Sequence, residues 1–197
     1  MRLFLIITLV LLVFFILFQI YMATNQSESQ KYTVVRTEKD FEIRFYPSVT
    51  LASITSSAKS YRELGNAGFQ RLAHYIFGGS QAKQKIAMTS PVHMDINDSA
   101  SSMSFVMPAQ YTMDNLPKPD DARVSLRKTS DEYVAAIRFG GYASDKDIQF
   151  NAEKLEHALD EHAISYYGHF RFLGYNAPYQ FFGRKNEIIV NVHGYPK

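Results

Sequence analysis

From Leu3 to Tyr21 nineteen residues run with only Thr8 and Gln19 polar. At 1.5 Å per residue such a helix is about 28 Å long, close to the hydrocarbon thickness of a bilayer. The pattern predicts a membrane anchor over residues 1–23. The apolar run is longer than a signal-peptide core and leaves through Tyr21-Met22-Ala23, with a bulky residue where a cleavage site wants a small one. An uncleaved anchor is therefore expected rather than a cleaved signal. Arg2 and the free amine precede the helix and should stay cytoplasmic, which puts the following domain outside the cytoplasm, in the periplasm if the cell is bacterial. Residues 24–30 are polar and lack large apolar groups, the composition of a short tether. Residues 31–197 remain for a folded domain.

Within that domain one pattern is written twice. Ser60-Tyr61-Arg62-Glu63 and Ser144-Asp145-Lys146-Asp147 each place an acid three residues after a serine, the signature of a capped helix start. Tyr61, Leu64, Gly68, Leu72, Tyr75 and Ile76 then follow one helical face until Gly78-Gly79. The second stripe is Ile148, Ala152, Leu155, Leu159 and Ala163, fading before Gly168. Strand-like text precedes each helix, Phe41–Tyr46 and Val49–Thr55 in one half, Val124–Lys128 and Tyr133–Phe139 in the other. A proline turn and a strand follow each: Ser90-Pro91 then Met103–Met107, and Ala177-Pro178 then Glu187–Val192. Ser60 to Ser144 and Ser104 to Ile188 are both offsets of 84 residues, and Pro91 to Pro178 is 87. The repeat is one of pattern, not of residue identity. Two such units predict an α+β fold, their strands merged into one curved antiparallel sheet or distorted β-barrel with two α-helices packed on it. A groove between the halves would be a place for a small ligand.

Composition narrows the chemistry. An apolar share of 46% and a charged share of 20% fit a folded chain. Lys and Arg number 21 against 19 Asp and Glu, so no field points at nucleic acid. With no cysteine, disulfides, thiolate metal sites, Cys nucleophiles and covalent haem attachment are excluded. There is no GxSxG elbow, HExxH, P-loop or dinucleotide fingerprint. His93, His157, His162, His169 and His193 show no metal-site spacing, and no structural metal site is expected.

Six segments recur in an order that resembles the SOUL haem-binding protein family: Phe41–Tyr46, Lys85–Val92, Ser104–Pro108, Ile137–Tyr142, Gly174–Pro178 and Gly183–Ile188. The resemblance covers residues 31–193 and implies the same duplicated architecture. It also implies non-covalent binding of haem or a related tetrapyrrole at a surface groove. A porphyrin needs a broad apolar slot, cationic or donor groups for two propionates and, optionally, an axial ligand.

On that implication, His74 near the end of the first domain helix is the first candidate, as propionate partner or as the iron ligand. Its alternative is a surface histidine favoured there by the helix dipole. Met88 and Met107 are soft-ligand candidates, with adaptable core packing as the alternative. Tyr75, Tyr175, Tyr179, Phe181 and Phe182 could line a flat aromatic slot or form the core and its rim. Arg184 and Lys185 could meet propionates or sit exposed in a polar turn. Phe45 stands where some relatives have a histidine regarded as an axial candidate, and phenylalanine cannot coordinate iron. Gln180 stands where some have a lysine; it can donate a hydrogen bond but brings no charge.

Three functions follow in order. The first is a membrane-tethered binder of haem or another tetrapyrrole, acting as carrier, buffer or sensor. The second is a module for another apolar planar molecule. The third is an enzyme acting on the bound ligand, for which no catalytic motif argues.

Overall fold

The computed structural model describes residues 1–24, 27–97 and 100–195. The first helix, α1 (Arg2–Thr24), contains the apolar stretch Leu3–Tyr21, of which 6% is buried; it is long and apolar enough to cross a membrane. After it the chain forms β1 (Glu28–Ser29) and β2 (Thr33–Thr37). The first half of the repeat is β3 (Glu42–Tyr46), β4 (Thr50–Ser56), α2 (Tyr61–Ile76), β5 (Thr89–Ser90), β6 (Val92–Asp95) and β7 (Ser101–Val106). The second is β8 (Ser125–Lys128), β9 (Glu132–Phe139), α3 (Asp145–Glu161), β10 (Tyr166–Gly174) and β11 (Asn186–Val192).

Both helix starts are capped as the sequence predicts. Ser60 Oγ accepts from the Glu63 N–H, and Ser144 forms a full reciprocal box with Asp147. Asp145 reaches across to accept from the Tyr61 N–H at 2.7 Å, so the first residue of α3 also satisfies an orphan donor of α2. At the far end of α2 the Gly79 N–H returns to the His74 carbonyl at 2.9 Å. Gly78 there sits at φ 111°, where a Cβ would be strained.

Nine strands form one antiparallel sheet in the order β2-β3-β9-β11-β10-β6-β7-β4-β8. Between β3 and β8 this order is a palindrome of the repeat. The inner strands β6 and β10 pair with each other, and each half lends its first strand to the other half's second, β3 to β9 and β8 to β4. The duplication predicted from spacing is thus built into the pairing. The barrel alternative is not: β2 and β8 end the sheet and do not pair with one another. Both edges are short and mostly solvent-exposed, carrying Arg36 on one and Arg127 and Lys128 on the other. Charged edge strands resist further pairing, so the sheet stays open.

Helices α2 and α3 cover one face. Leu64, Leu72, Tyr75 and Ile76 from α2 and Ile148, Leu155 and Leu159 from α3 are buried against Ile54, Met103, Phe105, Ile137, Ile188 and Val190. Full burial of each such aliphatic side chain contributes about 1.5–3 kcal/mol. Gly68 lets α2 lie close, since a Cβ there would stand 2.7 Å from Ile54 Cδ1. The opposite face carries a smaller cluster of Tyr46, Val134, Ala136, Leu173 and Ile189.

Within the segment expected as a tether, β1 pairs in parallel with β5, and the buried His93 ring meets Gln30 Oε1 at 2.7 Å.

Candidate functional site

The cavity that fits a planar apolar ligand opens where α2, the β5–β6 corner and the β10–β11 loop meet, and has a volume of about 560 Å³. Phe69, Ala73 and Ile76 of α2, with Phe77 that caps it, form one wall. Their spacing is i, i+4, i+7 and i+8, a second stripe beside the one that packs on the sheet. Met88 and Val92 supply a further apolar wall, and Tyr175, Pro178, Tyr179 and Gln180 of the loop close over the opposite side. The polar lining includes Arg138 from β9 and Lys185 from the start of the final hairpin arm.

These two cations differ. Lys185 Nζ is 3.0 Å from Glu187 and 3.8 Å from the Tyr175 ring centre, so its charge is already matched. Glu187 is fully buried and also takes Arg44 at 2.9 Å and the Tyr175 hydroxyl at 2.6 Å. Burial alone would push the Glu187 carboxyl up, but these donors outweigh it and hold it below the usual carboxylate range. Arg138 has no ion pair among the described residues and is exposed at the rim. It is the cation left over for an anionic group of a ligand.

The loop is held in shape by Arg184. Its guanidinium donates to the carbonyls of Ala177 and Gln180, each at 2.7 Å, and stacks 4.1 Å over the Tyr142 ring. Arg184 therefore builds the loop rather than offering a free charge. Gln180 is buried, lines the cavity, and donates its amide to the Phe182 carbonyl at 3.1 Å. Tyr179 also lines the cavity, whereas Phe182, 67% exposed, is not part of its lining.

His74 lies elsewhere. One residue along a helix turns the direction by about 100°, so with Ala73 facing the cavity His74 faces the 120–123 turn. There its side chain is 63% exposed and stands 3.4 Å from Asp120, beside Arg71 and Asp121. Tyr75 is a core residue whose hydroxyl donates to the Pro117 carbonyl at 2.8 Å; burial pushes its phenol up to about 12. Met107 is buried in the main core. Phe45 packs on Tyr133 with ring centres 5.0 Å apart, on the β3–β9 pair. Of the residues singled out from sequence, the structure brings Met88, Tyr175, Tyr179, Gln180 and Lys185 together at the cavity, and not His74, Tyr75, Met107, Phe181, Phe182 or Arg184.

The residues not foreseen were Phe69, Ala73, Phe77 and Arg138. Each had a signal: the secondary stripe on α2, and a lone charge inside the apolar strand Tyr133–Phe139.

A family model described as SOUL heme-binding protein matches residues 27–191. The chain belongs to the SOUL haem-binding family. Relatives include heme-binding protein 1 of Xenopus laevis, 30% identical over 165 residues that cover 79% of this chain and 86% of that protein. Heme-binding protein 2 of Mus musculus is 25% identical over 156 residues, covering 75% and 76%. Among solved structures, the C-terminal domain of EcmrR superposes with a TM-score of 0.62 at 6% identity, over 83% of this chain and 99% of that one. A hydrolase from Listeria innocua does so at 0.55 and 10%, over 80% and 94%. At such identities these structures share the fold alone, and the SOUL assignment rests on the sequence match.

The donor set fits a tetrapyrrole. Apolar side chains of α2 and of the β10–β11 loop line one cavity, Met88 is a half-buried thioether on its lining, and Arg138 is a cation there with no ion pair among the described residues.

Proposed function

We propose that this protein binds haem or a related tetrapyrrole in the cavity between α2 and the β10–β11 loop, in a domain held at a membrane by α1, and serves as a carrier, buffer or sensor. The observation that carries this reading is the apolar 560 Å³ cavity with its unmatched Arg138, in a chain of the SOUL family. The volume lies within the range of small-molecule sites, about 300–1,000 Å³. Ala73, Ile76 and Phe77 would pack on one face of the macrocycle, with the loop residues Pro178 and Tyr179 on the other side. Arg138 would pair with a propionate. Met88, a half-buried thioether on the cavity lining, would be the side chain to hold the iron, whereas His74 lies on another flank of α2. Haem supplies a redox-active iron when bound; the protein's part is to exclude water and orient the edge bearing the propionates.

The test is titration of the full chain in detergent micelles with haemin, read by the visible spectrum. A saturable one-to-one Soret shift is expected. Met88→Leu should keep the affinity within a few-fold and alter the band positions, because the packing volume is conserved and the sulfur is lost. Non-saturable adsorption would reject the haem reading. The second reading, another planar apolar ligand, draws support from Lys185 being neutralised by Glu187, which leaves one free cation for two propionates. It predicts thermal stabilisation by uncharged polycyclic aromatics where haemin gives none.

A further inference from the structure

The anchor helix touches the ligand loop. Gln19 lies inside the apolar stretch of α1, yet it is only 4% exposed. Its amide N–H donates to the Tyr179 carbonyl at 3.3 Å, and its amide oxygen accepts from the Phe181 N–H at 3.1 Å. One turn earlier, the Phe15 ring stands 6.1 Å from the Phe181 ring. The loop thus lies alongside positions 15–19 of the helix. Those positions are about 3–9 Å of helix rise short of Tyr21, where the apolar stretch ends.

An unpaired amide in hydrocarbon is costly, and so is an unpaired backbone N–H or C=O. Gln19 and the loop satisfy each other's polar groups at the depth where water fails. Around that contact the loop shows its apolar side chains outward. Tyr179 is 52% exposed and Phe181 53%, with Phe182 more so and Phe77 of α2 exposed near them at the same cavity. Rings of this kind settle at the boundary between headgroups and acyl chains.

We propose that the β10–β11 loop is a membrane-contact element, seated in the lipid interface beside α1. Its depth is fixed by Gln19, and the cavity walled by Tyr179 and Gln180 opens toward the bilayer surface. An apolar ligand then exchanges between lipid and cavity without crossing bulk water. The proposal rests on α1 being a retained span, as read above.

The absence of cysteine makes the test clean, since one introduced thiol is the sole labelling site. The full chain is reconstituted in phosphatidylcholine vesicles with an environment-sensitive fluorophore at Phe182→Cys, Leu11→Cys or Ser130→Cys. Leu11 reports the span, and Ser130 lies in the turn at the opposite end of β9 from the loop. Quenching is then measured with lipids carrying a nitroxide close to the headgroup or deep in the acyl chain. The expected result is quenching of Leu11→Cys by the deep probe and of Phe182→Cys by the shallow one, several-fold above Ser130→Cys. Adding Gln19→Leu should bring the Phe182→Cys signal down toward the Ser130→Cys level. Quenching at position 11, with position 182 as unquenched as 130, would overturn the proposal and leave the span intact. No quenching at position 11 would overturn the retained span and the loop contact with it. Quenching at 182 that Gln19→Leu leaves unchanged would overturn the depth-fixing role of Gln19.

Discussion

At the scale of single residues, the strongest constraints are buried charges held in ion pairs. Glu187 sits on the central strand β11 and gathers Arg44, Lys185 and Tyr175 around one carboxylate. Glu187→Gln would leave two cations facing a neutral amide, although Arg44 keeps Glu42 at 2.7 Å. Loss of about 3 kcal/mol is expected, the lower end for breaking a buried pair. Denaturant unfolding of the detergent-solubilised chain reads it, and a loss below about 1 kcal/mol would contradict this account of the cluster. His93 makes the second residue-scale case. Burial first, and then the Arg171 charge, push its imidazole down to about 3, so the folded state holds it neutral. The unfolded chain binds its proton near pH 6.5. Stability present above that pH is therefore lost on acidification toward 3, by up to ~1.4 kcal/mol per pH unit. Glu187 and Glu132, both held below the usual range, lose their contribution only at lower pH. Unfolding midpoints between pH 7 and 5 should fall with acid in the native chain, and His93→Gln should flatten that slope. Much of this was hidden from the sequence. Glu187 reads there as one polar residue at a strand start, and only the pairing of β3 with β9 and β9 with β11 brings Arg44 within reach.

At the scale of elements, local signals proved readable where they were written in contiguous residues. Ser60 and Ser144 announced both helices, and the short apolar, β-branched runs in Tyr133–Phe139 and Glu187–Val192 announced two central strands. The strand β10 escaped, because Gly168, at φ 78°, sits where its register shifts between Tyr167 and Arg171 and breaks the two-residue period. The position of His74 escaped for a similar reason. A helix stripe names the buried face well, but which flank meets a ligand depends on the loop that packs beside it, here 100 residues further on. That loop owes its shape to Arg184. Arg184→Ala removes two bonds to loop carbonyls and the stacking on Tyr142. Faster amide exchange confined to residues 177–183 is expected, with haemin affinity several-fold weaker and global unfolding changed by less than about 1 kcal/mol. Unchanged exchange in that segment would show that Arg184 does not hold the loop.

At the scale of the whole molecule, a departure from the repeat sets where this cavity lies. The palindromic sheet gives both halves a helix and an inner strand, yet the halves differ in what covers the helix end. In the first half, the end of α2 meets the β10–β11 loop, and α1 is bonded to that loop through Gln19. The architecture of two helices on one curved sheet was legible from the 84-residue offset. The openness of the sheet was not, since closure depends on whether β2 and β8 meet, and the two strands instead end the sheet unpaired with one another.

The central claim is that the ligand occupies the space beside Ala73 and not the surface around His74. The most direct measurement is haemin titration of the full chain in parallel with Ala73→Trp and His74→Ala. An indole at position 73 fills the cavity from a helix that tolerates the change, so affinity should drop at least tenfold. His74→Ala, on the far flank of α2, should bind within about twofold of the unaltered chain. Equal binding by Ala73→Trp, with loss in His74→Ala, would contradict the account and move the site to the groove between α2 and the 120–123 turn.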